Sequence, residues 1–326
     1  AVSFLGRELG ELPSGGFAFG VSSCYVREAA EAAGVTEGAH QLIWETAPDG
    51  EEEGEGVLGP EGQRGFRGSL GRLAWVDRAD LKVPAMRLSM RAGRATERDV
   101  RNLRATWAYA LGTQSRQQAV VPLPGEGLQR GEVPVGSVCV FTDSDHAADM
   151  SDCKSVSGAL VWVYGGNDEW LSVSQTARKQ ATVSLSSGEA ETVAAVEGSA
   201  WAIGVWADWA WLNQVTRDST RLFIGLDSSA AVSICRRRGS GRRTRHLEIK
   251  AFYLQGLVRQ ENVTLHKVAG AENWSDLLTK IRGDWAGTHL THAGMIGLES
   301  RCEYSQVPGA ARGTGRGSNP SKLPES

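Results

Sequence analysis

The stretch Val138–Asp145, reading VCVFTDSD, decides how the rest of the chain is read. Val138 to Phe141 are apolar and mostly β-branched or aromatic, which suits a buried strand. The run stops on Thr142 and Asp143, and a carboxylate at the end of a buried strand is costly unless something positive meets it. Arg221–Asp227, RLFIGLD, repeats the pattern and also ends on Asp. Between the two lies SSGEAE, Ser186–Glu191, at the head of a long helical run, and after both comes ENWSDLLTK, Glu272–Lys280. The order is Asp, Glu, Asp, Asp, each at the edge of an element.

Outward from that stretch, the residues predict strands over 137–142, 158–164, 170–174, 222–226 and 263–268. Helices are predicted over 187–212, 228–237, 247–258 and 274–281, the first led by serines that can cap it. Three consecutive strands followed by alternating units imply an α/β mixed sheet with helices packed on it. Ligands of open α/β sheets bind at the carboxyl ends of strands. If strands 137–142 and 222–226 are neighbours, Asp143 and Asp227 are adjacent there. Two such carboxylates do not both stay ionised cheaply unless a cation bridges them. Oxygen ligands without His or Cys select hard ions, Mg²⁺ or Mn²⁺. Two such ions about 4 Å apart activate a water and stabilise the leaving oxygen of a phosphodiester. Each acid alone also reads as an ordinary strand-end or first-turn residue. Glu189 and Glu191 lie about 200° apart around a helix, so one of them faces a given site. Ala194, Ala195 and Gly198 on the Glu191 side allow close approach to a sheet but do not settle the choice.

The 326 residues suffice for one large domain or two ordinary ones, and 41% hydrophobic content supports a core. A formal net charge of −3 means that any surface for a polyanion must be local. Cys24, Cys139, Cys153, Cys235 and Cys302 form no Cys-x-x-Cys pair, which argues against a disulfide framework or zinc ribbon and fits a reducing compartment. No secretory signal is visible, and the longest apolar stretch, Ala200–Leu212, is broken by Asp208 and short of the ~20 residues that span a bilayer. A first residue of Ala rather than Met suggests a soluble piece of something longer or a processed product. Residues 1–65 read as an irregular, partly acidic segment, with a helix-like patch at Tyr25–Ala33 and with Glu51, Glu52, Glu53 and Glu55 in a solvated loop. GEGVLG, Gly54–Gly59, fits a dinucleotide fingerprint only formally, since no strand precedes it and the flanking acids repel a pyrophosphate. Residues 66–113 carry three- and four-residue apolar spacing, as helices do. Residues 114–135 read as a linker, 136–283 as the α/β domain, 284–302 as a C-terminal helix and 303–326 as a disordered tail.

At this point the residues carry a resemblance. TDSDHA, KSVSGALVWVYGG, VSLSSGEAETVAA, LDSSAAVSI, RTRHLEIKAFYLQ and ENWSDLLTK occur in this order within Gly136–Lys280, which resembles the ribonuclease H domain of copia-type LTR retrotransposon polyproteins. The resemblance implies a ribonuclease H-like five-stranded mixed sheet with helices on both faces, preceded by a small helical region. It implies hydrolysis of the RNA strand of RNA–DNA hybrids with two Mg²⁺ or Mn²⁺ ions, leaving a 3′-hydroxyl and a 5′-phosphate. Asp143, Glu191, Asp227 and Asp276 match the family's metal-binding acids. Asp143 would bridge both ions, Glu191 and Asp227 would hold one, and Asp276 the other. Residues 66–113, FRGSLGRLAWVDRAD to YALGT, resemble the end of the reverse transcriptase of the same polyprotein. No Tyr-x-Asp-Asp polymerase motif occurs in the chain, so polymerase activity is not expected from it alone. Asp77-Arg78-Ala79-Asp80 stands where the family usually has Arg-Pro-Asp, a drift that permits an inactive relic. VAGAENWSD, like its copia counterparts, has no loop histidine before the last acid. Other portions of the polyprotein are expected partners, and the location implied is cytoplasmic, in a virus-like particle, or nuclear.

CRRRGSGRRTRH, Cys235–His246, gathers Arg236, Arg237, Arg238, Arg242, Arg243 and Arg245 after the helix that follows Asp227. A solvated basic loop is the bland reading; beside a phosphodiester site it is a backbone clamp with salt-dependent, sequence-independent affinity. An integrase-type transferase would need its Glu after the second Asp, on a late helix, whereas Glu191 precedes Asp227. His289 and His292 lack patterned partners for a metal. Of Trp201, Trp206, Trp209 and Trp211 on the long helix, some are expected in the core. The remainder read as a partner surface or, less readily, a stacking platform.

Overall fold

A computed structural model describes residues 2–4, 6–11, 17–46, 56–114, 116–120, 123–124, 133–149, 152–166, 169–239, 248–270, 273–281 and 295–297. In chain order, the first elements are strands β1 (Val2–Phe4), β2 (Arg7–Glu11) and β3 (Phe17–Gly20) and helices α1 (Ser23–Ala32), α2 (Pro60–Val76), α3 (Lys82–Met90) and α4 (Glu97–Gly112). They continue with β4 (Arg116–Val120), β5 (Leu123–Pro124), β6 (Val138–Asp149), β7 (Lys154–Gly166), β8 (Glu169–Lys179) and α5 (Ser187–Leu212). The last are β9 (Leu222–Leu226), α6 (Ser229–Arg236), α7 (Glu248–Leu257), β10 (Val263–Lys267) and β11 (Met295–Gly297). Among the described residues, no helix is long and apolar enough to cross a membrane.

The five strands expected after residue 136 are all present, in the order β10-β9-β6-β7-β8, with the two-residue β5 added at the β8 edge. β6 runs parallel to β9, and β9 parallel to β10, while β7 is antiparallel to both β6 and β8. The central strands are buried on both faces, and this explains their unbroken apolar runs. Val138 and Val140 of β6 face one core with Val161, Leu222 and Ile224; Cys139 and Phe141 face the other with Leu160, Trp162 and Phe223. Helices α5, α6 and α7 cover the first face, through Ala195, Ala202, Trp206, Val232 and Leu254. The second face carries a 3₁₀ helix, Trp274–Leu278, whose Trp274 ring sits 4.7 Å from the rings of both Phe141 and Trp162. Gly225 interrupts β9 because a Cβ there would lie 2.8 Å from Phe141 Cδ1. Any side chain at 225 would have to displace a packed aromatic ring, which cores of this density tolerate poorly.

The helical region is a second packed unit. Val26 and Ala30 of α1, Phe66, Leu70 and Leu73 of α2, Leu88 of α3, and Leu103 and Trp107 of α4 form its core. Beneath it, Arg78 makes a two-pronged ion pair with Asp80, through Nη2–Oδ2 at 2.6 Å and Nε–Oδ1 at 3.1 Å. Tyr109 donates to Asp80 Oδ2 at 2.8 Å, and Arg78 also reaches the Thr113 carbonyl at 2.8 Å. The departure from Arg-Pro-Asp at Ala79 therefore leaves the pair fully made. The two units meet where Arg87 of α3 pairs with Asp145 of β6 at 3.0 Å, and Ile281 packs on the helical core.

Three expectations are corrected. Residues 1–65 are not irregular throughout: α1 lies on the helix-like patch at Tyr25–Ala33, but β1, β2 and β3 also lie there, and α2 begins at Pro60. The stretch 114–135 holds β4 and β5. Met295–Gly297, inside the expected C-terminal helix, is a strand. For β4 and β11 the cause is long-range pairing. β3 pairs with β4 and β4 with β11, in an antiparallel sheet ordered β1-β2-β3-β4-β11. Short strands of this kind are specified by partners distant in sequence, and local periodicity does not show them. The expected 303–326 tail lies outside the described residues.

Candidate active site

The sheet topology puts the first two acids side by side. β6 and β9 are parallel and their pairing stops at Thr142 opposite Leu226, which brings Asp143 and Asp227 together; β9 ends there, whereas β6 runs past the expected stop at Thr142 to Asp149, held by β7. α5 then crosses the sheet closely enough to add a third. At Gly198 a Cβ would collide with Thr142 Cγ2, so the absence of a side chain lets the helix settle against β6. Ser186 caps α5, accepting from the Glu189 N–H at 3.3 Å. The two acids near its start then part company. Glu189 turns back to accept from the Leu185 N–H at 2.7 Å, whereas Glu191 reaches the sheet and accepts from the Ser144 N–H at 3.4 Å. Of the two acids that helical spacing left open, Glu191 is the one brought beside Asp143 and Asp227.

Asp143, Glu191 and Asp227 offer oxygens that all lie within 4.8 Å of one another. Asp143 and Glu191 are buried, at 3% and 8% exposure. Burial, then repulsion from Asp143 and Asp227, pushes the Glu191 carboxyl up to about 8. Burial likewise pushes Asp143 up to about 7, with Asp276 and Asp227 adding repulsion and the Thr279 hydrogen bond and Lys280 working against it. Glu191 Oε2 is buried and has no hydrogen-bond partner among the described residues. Crowded, desolvated carboxylates with an unsatisfied oxygen are the donor set of a hard cation, and this group fits Mg²⁺ or Mn²⁺. Of the acids that follow Asp143 in the chain, Asp145 pairs with Arg87 and Asp152 with Lys179 at 2.7 Å.

Asp276 sits on the 3₁₀ helix rather than on the α-helix expected over 274–281. It faces Asp143 but is not one of the three grouped acids; Lys280 stands between, 2.8 Å from Asp276 Oδ1 and 3.9 Å from Asp143 Oδ2. Asn273, fully buried, fixes this turn to the strand by donating to the Thr142 carbonyl at 3.0 Å and accepting from Ser275 Oγ at 2.6 Å. Thr279, also fully buried, donates to Asp143 Oδ2. Sequence reading did not single out Asn273, Thr279 or Lys280, although all three stand in the word ENWSDLLTK.

Of the basic segment, Arg236 ends α6 and Arg237 and Arg238 follow it; Arg236 and Arg238 are exposed. At about 1.5 Å per residue, Arg236 lies roughly 13 Å along the chain from Asp227. Arg242, Arg243 and Arg245 lie outside the described residues. On α5, Trp206 is fully buried and donates to Thr220 Oγ1 at 2.7 Å, while Trp211 is 77% exposed.

The strand order, the antiparallel β7 and β8, and acids where β6 and β9 stop pairing define an α/β domain built on a mixed sheet with an acidic cleft. No protein-family model matches the chain. Among curated proteins it is related to the retrovirus-related Pol polyprotein of transposon TNT 1-94 from Nicotiana tabacum, a copia-type element. The two are 29% identical over 145 residues, which is 43% of this chain and 10% of the polyprotein, so the chain spans about a tenth of its relative. Among solved structures, it is similar to the N-terminal ribonuclease H domain of a Mycobacterium tuberculosis protein, with a TM-score of 0.30 and 14% identity over 52% of this chain and 98% of that one. It is also similar to the ribonuclease H1 LC11 in complex with RNA/DNA hybrid, with a TM-score of 0.30 and 11% identity over 44% of this chain and 94% of that one.

Proposed function

We propose that residues 136–283 form a ribonuclease H that cleaves the RNA strand of RNA–DNA hybrids internally, as one part of a retrotransposon polyprotein. The observation that carries this reading is the convergence of Asp143, Glu191 and Asp227 at one buried strand end, with their oxygens within 4.8 Å. Asp143 would be shared between two divalent ions, with Glu191 and Asp227 completing one set of ligands and Asp276 the other. Such ions, when bound, activate water and stabilise the leaving oxygen of the phosphodiester.

The chain's own residues supply the rest. Thr279 donates to Asp143 Oδ2 and so fixes the orientation of that carboxylate. Asn273 keeps the Asp276 turn on β6, so the two halves of the site do not drift apart. Arg236, Arg237 and Arg238, with Arg242, Arg243 and Arg245 beyond them, would hold the phosphate backbone without reading sequence. Choice of RNA over DNA would come from contacts to the 2′-hydroxyl.

The test is cleavage of a labelled RNA–DNA hybrid with Mg²⁺ by the whole chain beside Asp143→Asn. Internal cuts in the RNA strand alone, lost in the variant, are the expected result. A folded wild-type protein that leaves the hybrid intact, or a variant that cuts equally well, would overturn the proposal.

A further inference from the structure

The acidic site is unevenly furnished with positive charge. On one side, Glu191 and Asp227 make no ion pair with a lysine or arginine among the described residues; Lys267 reaches the Asp227 backbone carbonyl, not its carboxylate. On the other side, the Lys280 ammonium stands 2.8 Å from Asp276 and 3.9 Å from Asp143. A cation shared by Asp143 and Asp276 and the Lys280 ammonium would therefore claim the same oxygens. The acids there are fixed, with side chains 5% and 15% exposed, whereas the lysine side chain is 39% exposed and enters from solvent. Asn273 and Thr279 lock the surrounding turn to β6, and the lysine side chain is the most exposed part of this arrangement. Withdrawal to solvent would return rotamer freedom to its long stem.

We infer that Lys280 is a tethered cation that fills the Asp143–Asp276 half of the site until a divalent ion displaces it. Loading is then ordered: the half formed by Glu191 and Asp227 takes its ion first, and the second ion binds more weakly because it must evict an ammonium. Lys280 would set the concentration of divalent ion at which the site becomes complete. The inference rests on the nuclease reading, since it presumes that the acids bind metal.

Mn²⁺ binding to the whole chain, without substrate, tests it by calorimetry and by the electron paramagnetic resonance of the free ion. Wild type should bind one Mn²⁺ tightly and a second weakly. Lys280→Met should leave the first unchanged and tighten the second by up to about fivefold, the scale of one partly exposed charge pair. Lys280→Arg, which keeps the charge, should behave as wild type. The metal-free Lys280→Met protein should also melt at a lower temperature and recover more on adding Mn²⁺. Lys280→Gln repeats the measurement with a polar side chain should the methionine variant not fold. Unchanged weak-site affinity in both neutral variants would overturn the role of Lys280 while leaving the nuclease reading intact. No Mn²⁺ binding to wild type or variants would remove the nuclease reading, and this inference with it.

Discussion

The helical unit and the sheet unit each bury an aspartate, and they treat it in opposite ways. Burial works against the charge of Asp80, but the Arg78 guanidinium, the Tyr109 hydroxyl and Arg116 outweigh it and hold its carboxyl below the usual range. Asp143 and Glu191 are pushed up instead, to about 7 and about 8, because burial is compounded by neighbouring acids. Asp80 is satisfied from within the chain and is structural. The acids where β6 and β9 stop pairing are left short of positive charge, a cost in folding free energy that a bound cation would offset. Buried charge therefore marks function only where its partners are missing.

Removing an acid from the unsatisfied cluster should have the largest effect. Asp143→Asn is expected to lower hybrid cleavage by several kcal/mol of barrier, at least about a thousandfold. The same change should raise the melting temperature of the metal-free protein, because a like charge is gone. A variant that loses activity only by unfolding would erase the contrast between the two regions. The mirror experiment is Arg78→Met, which strands a buried carboxylate. It should cost about 3–5 kcal/mol in denaturant unfolding and leave cleavage per folded molecule unchanged. A neutral outcome would mean that Asp80 does not depend on its arginine.

Proton linkage gives a smaller and more selective effect. Asp143 and Glu191 bind protons more tightly in the folded chain than in the unfolded one, where carboxyls titrate near about 4. The stability they lend is therefore complete below about pH 4 and is lost as pH rises through about 7 and 8. On this account the metal-free melting temperature falls between about pH 5 and pH 8. Mg²⁺ raises it more at pH 8 than at pH 5.5, since ion and proton compete for the same oxygens. A Mg²⁺ increment independent of pH would contradict the assignment. The smallest effect is expected at the junction of the units. Arg87→Ala removes a partly exposed pair with Asp145 and should cost no more than about 1 kcal/mol, with cleavage changed only a few-fold.

Much of the sheet unit was legible in the sequence because its signals are local. Val138–Phe141 and Leu222–Leu226 announce strands buried on both faces, and each apolar run is followed by an acid, although β6 itself continues to Asp149. What pairs with what is not local. Spacing alone could not choose between Glu189 and Glu191; Glu189 is taken up by the Leu185 N–H, a fact of the turn before α5. β4 and β11 were not legible because their partners lie about 100 residues or more away in the chain, whereas β1, β2 and β3 pair locally but are too short to show a clear alternation. Thr279 and Lys280 stood in the quoted word ENWSDLLTK, three and four residues after Asp276. Their reach back to Asp143 depends on the 3₁₀ turn, where an α-helix was expected.

The most direct test of the cation site is a crystal of the chain grown with Mn²⁺ and measured at the manganese edge. The account predicts an anomalous peak bounded by the carboxylates of Asp143, Glu191 and Asp227. Ordered electron density for the three side chains with no peak between them, or manganese bound only elsewhere, would contradict it.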